Sequence, residues 1–380
     1  MIYTLMNKNT ELFDIEMSNG NIHKVENFRT DNFYLLPVFL ITARDIKENI
    51  INIDRVIEWW QSRRIPASRD GIKELFFNLN NITLDYLSEK SLGLSLSDQY
   101  WLRPDMSGIK WEAVNFFQND FSEDIGNLLI TGDWNGGNLV SPDSTSDGAV
   151  RKRWKIVGGE RFLIKGSSSQ FYQTEPFREV FASKIADLFF NGDFIVNYAL
   201  MWEEGKTGRK VYSACKNFIT ADTEYVPFTH FREINGKIYA PEHYDICAKI
   251  YGEYKYILDL TLILDYIVLN EDRHFGNFGM IRNSNTGAFI KPAPVFDTGS
   301  SLFHNSVVID SEIIRAKPFS KNFEEQIKLV RISDYRENIT AVKENAEQIF
   351  WEVFADAFED KCRLSAILSV VQAQADKLLR

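Results

Sequence analysis

The chain has 380 residues, 44% hydrophobic and 14% aromatic, which calls for two or three packed units and excludes a disordered protein. Its net charge of −10 argues against nonspecific nucleic-acid or anionic-membrane binding as its main activity. Three Cys (Cys215, Cys247, Cys362) and five His are scattered without C-x-x-C or metal-ligand spacing, so neither a disulfide framework nor a zinc site is expected, and a reducing cytoplasm fits.

The N-terminus has no basic segment ahead of a long apolar core, so no signal peptide is expected. Ile2 to Met6 and Leu12 to Met17 read as strands, followed by a hairpin turn at Ser18-Asn19-Gly20-Asn21. Asp54 to Arg64 has helical spacing (Val56, Ile57, Trp60, Arg64) and is interrupted by Pro66; a second helix starts at Ile72. Asp98 to Leu102 predicts a third helical segment, ended by Pro104. Residues 1–125 form an N-terminal module of mixed structure in this reading. A turn-rich stretch follows around residues 132–137, and the polar run 141–148 reads as a flexible loop. Arg153 to Val157 and Arg161 to Lys165 are strand-like and joined by Gly158-Gly159-Glu160, and a helix runs from about Pro176 to Phe190. Strands around Phe194 to Trp202 and Lys210 to Ile219 complete a module over 126–225. Residues 226–380 are mainly helical. The longest apolar run, Ile257 to Leu269, is broken by Asp259, Thr261 and Asp265, so it reads as a buried helix rather than a membrane span. Two helices, 338–354 and 360–379, close the chain with apolar faces at Ala346, Ile349, Phe350, Val353 and at Ile367, Val370, Leu378.

Six residues, Asp272-Arg273-His274-Phe275-Gly276-Asn277, followed by Asp297-Thr298-Gly299, carry most of the chemistry. A carboxylate followed after four residues by an amide recurs in phosphoryl-transfer loops, where the Asp takes the acceptor hydroxyl proton and the Asn holds magnesium. A downstream Asp in a D-x-G turn supplies the other metal contact. Asp272 is therefore the candidate base, and Asn277 and Asp297 the candidate Mg²⁺ ligands, their oxygens suiting a hard cation. Read singly, Asp272 and Asp297 are also ordinary cap or turn residues. Phosphoryl transfer needs a cation at the nucleotide phosphates; Lys165 at a strand end is the candidate, with Glu179 on the following helix to orient it. Glu175 competes with Glu179, but Pro176 places it ahead of the helix. His274 reads as a scaffold residue of the loop, and Arg273 as support for a loop carboxylate or Asp297. The chain has neither G-x-G-x-x-G nor G-x-x-x-x-G-K-[ST]; Ser144, Thr145, Ser146 and Gly148, with Arg151 and Lys152 behind, stand where a phosphate-covering loop belongs.

These motifs resemble the HipA-like serine/threonine kinases, a bacterial family that includes toxin kinases of toxin–antitoxin modules and is related in fold to the phosphatidylinositol 3/4-kinases. The resemblance covers residues 130 to 380 and rests on Asp147-Gly148-Ala149, on Phe162 to Lys165, on Glu179 before Ala182 to Ala186, and on the Asp272 and Asp297 motifs. It implies an α+β fold: a two-lobed protein-kinase-like core behind an N-terminal α+β module, with a mainly helical C-terminal lobe. It also implies ATP and Mg²⁺ as cofactors, a protein substrate with a Ser or Thr acceptor, an antitoxin partner, and a cytoplasmic place with no direct nucleic-acid or membrane binding. Carried over by motif, Lys165 binds ATP phosphates, Asp272 is catalytic, Asn277 and Asp297 bind magnesium, and Cys215-Lys216-Asn217-Phe218 is the hinge that meets adenine. Autophosphorylation in the phosphate loop is implied as well, with Ser144, Thr145 and Ser146 as its candidates.

A lipid or small-molecule kinase of phosphatidylinositol-kinase-like fold is the first alternative, since D-R-H-x-x-N occurs there too. Such an enzyme needs a basic cluster after D-x-G; only His304, Arg315 and Lys317 lie between Gly299 and Pro318, which favours a protein substrate. The second alternative, a nucleotide-binding pseudokinase, calls for loss of Lys165, Asp272, Asn277 or Asp297, and all four are present.

Overall fold

The structure, a computed structural model, describes residues 1–41, 48, 50–78, 83–132, 134, 136–146, 148–168, 173–190, 192–205, 208–231, 234 and 239–380. Asp147, near the end of the expected loop, lies outside them. Two compact units divide the chain. Unit 1 comprises Met1–Ile164, Asn217–Val226 and Ile281–Ile290; unit 2 comprises Lys165–Lys216, Pro227–Met280 and Lys291–Arg380.

In unit 1, β1 (Ile2–Asn7), β2 (Thr10–Ser18) and β3 (Asn21–Glu26) are antiparallel, and β4 (Tyr100–Pro104) pairs with β1, giving the order β3-β2-β1-β4. The β2–β3 turn has two residues, Asn19 and Gly20, at φ 49° and 78°, the twist-matched geometry expected of an Asn-Gly hairpin. A side chain at position 20 would also meet Asp85 Cβ at 2.2 Å, so glycine is required there twice over. Phe13, Ile15 and Met17 alternate into a core closed by Val56, Trp59 and Trp60 of α1 (Ile53–Ser62), whose N-terminus Asn52 caps through the Asp54 and Arg55 amides. The helix α2 (Ile72–Asn78) follows as expected. The expected helix at 98–102 is instead β4. Five residues are too few to reveal a period, and pairing with β1 buries Tyr100, Trp101 and Leu102. Two helices not foreseen are α3 (Leu84–Lys90) and α4 (Asp124–Thr131). The hairpin strands β5 (Lys152–Val157) and β6 (Glu160–Lys165) match the expected pair.

Unit 2 begins with Lys165, the last residue of β6, and continues with α5 (Glu175–Ala186) and the antiparallel pair β7 (Tyr198–Gly205) and β8 (Gly208–Lys216). Only Lys184 of the twelve α5 residues escapes burial, so this helix is core on every side. Phe177 stacks on Phe354 and Phe181 meets Phe350 edge-on. Three short strands, none of them foreseen and each divided in sequence between the two units, are β9 (Thr223–Pro227), β10 (Gly279–Asn283) and β11 (Phe289–Pro292), in the order β11-β10-β9. The remaining helices are α6 (Glu242–Tyr251), α7 (Lys255–Val268), α8 (Phe323–Ile327), α9 (Arg336–Val353) and α10 (Lys361–Leu379). Every residue of α7 from Ile257 onward is buried. Its two acids are matched: Asp259 accepts from the Tyr244 and Tyr335 hydroxyls and Lys255, and Asp265 from Arg273 and Asn270. On α9 and α10, Ala346, Phe350, Val353, Ile367 and Leu378 are buried as expected, while Ile349 and Val370 are half-buried and Leu368 and Val371 take the inner positions. No helix among the described residues is long and apolar enough to cross a membrane. All three cysteines are unpaired; Cys215 on β8 and Cys247 on α6 are buried, and Cys362 on α10 is exposed.

Candidate active site

Strand β6 carries Lys165 to its end and α5 presents Glu179 one helical turn inside its own start. The Lys165 ammonium lies 2.5 Å from Glu179 Oε1 and 2.6 Å from Asp297 Oδ1. Lys165 and Glu179 are buried, whereas the Asp297 side chain retains 33% of its exposure. Burial alone pulls the ammonium down, but the Asp297 and Glu179 charges outweigh it and hold its pKa above the ordinary lysine value. The second Glu179 oxygen accepts from the Ser213 hydroxyl of β8 at 2.7 Å, which fixes the carboxylate from the other side. Glu175 turns elsewhere, to the Ser167 and Ser168 hydroxyls.

Asp297 has φ 57°, the left-handed region, which an Asp tolerates better than most side chains and which here accompanies the carboxylate's contact with Lys165. The Asp272 loop is tied to α7 beneath it. Arg273, 1% exposed, pairs with Asp265 at 2.9 Å and donates to the carbonyls of Asn277 and Phe296 at 3.0 and 2.7 Å. One guanidinium thus joins the floor helix, the loop and the residue before Asp297. Asn277 Nδ2 donates to the Asp272 carbonyl at 3.0 Å, and His274 Nδ1 accepts from the Gly276 amide, a loop-internal bond. The Asp272 side chain is half-buried and pairs with Lys317 at 2.7 Å.

The oxygen donors of Asn277 and Asp297 suit Mg²⁺, which characteristically takes one or two protein oxygens and completes its shell with phosphate and water. No cluster of three or more His, Cys, Asp or Glu among the described residues is placed to hold a metal unaided.

The hydroxyl segment belongs to unit 1, and there the expectation of a flexible loop is corrected. Pro142 to Thr145 form a buried 3₁₀ turn. Thr145 donates to the Leu94 carbonyl at 2.7 Å; Ser146 is held by Arg69, which also binds the Gly148 carbonyl at 2.9 Å; the buried Ser144 hydroxyl has no hydrogen-bond partner among the described residues. Gly148 has φ 92°, and a Cβ there would meet Lys152 Nζ at 2.5 Å. Apart from Ser144, the hydroxyls find side-chain or backbone partners inside the unit, so a composition that resembles a solvated loop becomes interior. Asp143, accepting from the Trp154 amide and the Ser141 hydroxyl, is the centre of this arrangement. Burial pushes its carboxyl up to about 7, against the pull of those donors and of Arg69 and Arg153. A raised carboxyl stabilises the fold fully below its ordinary value of 3.8, and that contribution is lost as pH rises toward about 7. Between about pH 5 and about pH 8 the wild type should lose a few kcal/mol more than Asp143→Asn. Urea unfolding of both proteins at the two pH values checks this; equal slopes contradict it.

Of the hinge residues, Lys216 ends β8 and is exposed, and Phe218 is half-buried with its ring edge-on to Tyr225 at 6.0 Å. Lys216 falls in unit 2 and Phe218 in unit 1.

Several contributors were not singled out from sequence: Ser213, Asp265, and a buried ion cluster. Arg178, next to Glu179, is fully buried and pairs with Glu359 at 3.2 Å while donating to the Leu302 carbonyl at 3.1 Å. Glu359 also accepts from Thr174 and from Arg363. Arg363 in turn grips the carbonyls of Phe303, Ser306 and Val307. Helix α5 and the segment after Asp297 are joined by this cluster. A charged residue beside a predicted catalytic one on an all-buried helix was the available signal.

No protein-family model matches the chain, and no curated protein matches it. Among solved structures it is similar to HipA of the Shewanella oneidensis MR-1 toxin–antitoxin system, solved with HipB and its operator DNA, at 10% identity and TM-score 0.56, covering 99% of this chain and 97% of that one. The Helicobacter pylori proinflammatory kinase CtkA matches 60% of this chain and 92% of its own at 19% identity and TM-score 0.45. A Golgi casein kinase matches at 13% identity and TM-score 0.34, over 81% and 88%. Over nearly its whole length, the chain has the α+β fold of a HipA-like kinase.

Proposed function

We propose that the chain is an ATP- and Mg²⁺-dependent serine/threonine protein kinase of HipA-like type. The observation that carries this reading is Lys165 held between Glu179 and Asp297, in the same unit as the Asp272 loop. A cation at the phosphates, a carboxylate orienting it, two oxygen ligands for a metal and an exposed-side carboxylate for the acceptor make up the set that phosphoryl transfer requires. Lys165 binds the nucleotide phosphates, Glu179 and Ser213 keep it oriented, and Asp272 takes the proton of the acceptor hydroxyl. Asn277 and Asp297 would hold Mg²⁺, which would supply positive charge to offset that on the phosphates. In this reading residues 1–125 are an accessory module, 226–380 hold the catalytic loop, and Lys216 lies at the adenine. A protein acceptor rather than an inositide is favoured by the scarcity of basic residues between Gly299 and Pro318. An antitoxin partner belongs to the same proposal, since HipA is solved with HipB.

The test is incubation with Mg²⁺ and ATP, then intact mass and phosphosite mapping, with Asp272→Asn as control. Phosphate is expected on Ser144, Thr145 or Ser146, with weaker nucleotide binding afterwards that a phosphatase reverses. A phosphate brings about −1.5 to −2 charges, incompatible with the buried turn, so the segment must leave its Arg69 anchor to be modified. Phosphate found only outside residues 141–152 removes self-modification of the loop and keeps the kinase. No transfer to itself or to a general Ser/Thr protein acceptor, with ATP still bound, selects the pseudokinase.

A further inference from the structure

We propose that Lys317 is a catalytic residue of this site, placing a second ammonium group on the phosphoryl group as it transfers. The inference rests on the kinase reading and on three features of unit 2. First, Lys317 Nζ lies 2.7 Å from Asp272 Oδ1, with the two side chains 32% and 42% exposed, so the pair is open to solvent and to an incoming acceptor hydroxyl. Second, the other basic side chains nearby have different tasks. Arg273 is buried on Asp265 and two carbonyls, His274 bonds its own loop, and Lys165 spans Glu179 and Asp297.

Third, the backbone under Lys317 is built to hold still. The buried Gln326 side chain donates to the Lys317 carbonyl at 2.9 Å and accepts from the Phe319 and Ser320 amides at 2.9 and 3.3 Å. The Tyr239 amide donates to the Pro318 carbonyl at 2.9 Å, and the Ala316 amide to Lys321 at 3.1 Å. Ala316 and Phe319 are fully buried on either side. A solvated lysine serving only solubility needs no such pedestal; one that must meet a reacting group does, because preorganised charge avoids reorganisation during the reaction.

In the step, the acceptor O–H bond breaks and its proton passes to Asp272. The acceptor oxygen bonds to the γ-phosphorus as the bond from that phosphorus to the β,γ-bridging oxygen breaks, and ADP leaves with the bonding pair. The proton on Asp272 then passes to solvent. Lys317 transfers no proton; it donates to the γ-phosphoryl oxygens while keeping the Asp272 carboxylate aimed.

The experiment compares wild type, Lys317→Met and Lys317→Arg for transfer rate, for Mg²⁺–ADP binding, and for Mg²⁺–ADP binding with aluminium fluoride, a planar mimic of the transferring group. Lys317→Met should lower the transfer rate by about 10²–10³-fold, the size seen when one preorganised donor is removed. Its ADP affinity should stay within about threefold, and the gain in affinity on adding fluoride should disappear. Lys317→Arg should recover at least about tenfold of the lost rate. If Lys317→Met melts low, Lys317→Gln, which keeps length and polarity, takes its place. A transfer rate within about threefold of wild type together with an intact fluoride-dependent gain overturns the inference while leaving the kinase reading standing. Wild type that transfers no phosphate and shows no fluoride-dependent gain overturns both.

Discussion

Asp272→Asn should lower phosphoryl transfer by about 10²–10⁴-fold, the range for losing a positioned general base. The amide keeps the shape of the carboxylate but accepts no proton and offsets no charge. The loop itself should survive, because its bonds run through other atoms: Asn277 donates to the Asp272 carbonyl, and Arg273 anchors the loop on Asp265. Lys317 loses its carboxylate but remains partly exposed to water, so no charge is stranded. Nucleotide affinity should therefore stay within about threefold of wild type. Asp297→Asn should do the reverse and weaken Mg²⁺-dependent nucleotide binding first, since it removes a charged metal ligand and one of the two carboxylates on Lys165. Calorimetry with Mg²⁺–ATP and radiolabel transfer to a protein acceptor separate the two variants. Near wild-type transfer by Asp272→Asn removes that residue from the mechanism.

Glu359→Ala should cost about 3–5 kcal/mol of unfolding free energy, the penalty for stranding a buried charge. Arg178 is completely buried, and burial already pulls its guanidinium below the ordinary arginine value against the attraction of Glu359. Arg363 would lose the same partner, and with it the orientation from which it holds residues 303, 306 and 307. Glu359→Gln keeps the shape and part of the hydrogen bonding, so it should fall between the two. Urea unfolding at neutral pH measures the loss; a change under about 1 kcal/mol, as for an exposed pair, would show that the cluster contributes little.

The order of secondary elements was legible wherever a pattern ran long enough. The Asn19-Gly20 hairpin, the apolar helix before Asp272 and the closing helix pair follow from turn chemistry and from periods of eight residues or more. The 98–102 segment failed because it offers five residues, and its state is decided by β1, ninety positions away in sequence. Within the site, Lys165, Glu179 and Asp297 were nameable because each sits at a fixed offset inside a local motif. Lys317 was counted only as one of three basic residues in its segment. Its place beside Asp272, 45 residues away, depends on how Gln326 and the turn around Pro318 fold. The Arg178–Glu359 pair spans 181 residues, and no local spacing announces it. Asp143 misled in the opposite sense: a run of Ser, Asp and Thr signals solvent until its side chains find each other.

The cysteines offer a practical opening for spectroscopy. Burial, followed by the nearby Glu179 charge, pushes the Cys215 thiol up to about 12, so almost none of it is thiolate at neutral pH. Cys247 is shielded in the same way, its thiol raised by burial. A maleimide dye on the native sequence should therefore settle on Cys362 alone, with no engineered site required. That position precedes Arg363, whose guanidinium grips the backbone from Phe303 to Val307. The unmodified chain thus carries its own optical reporter for rearrangement of the segment that follows Asp297.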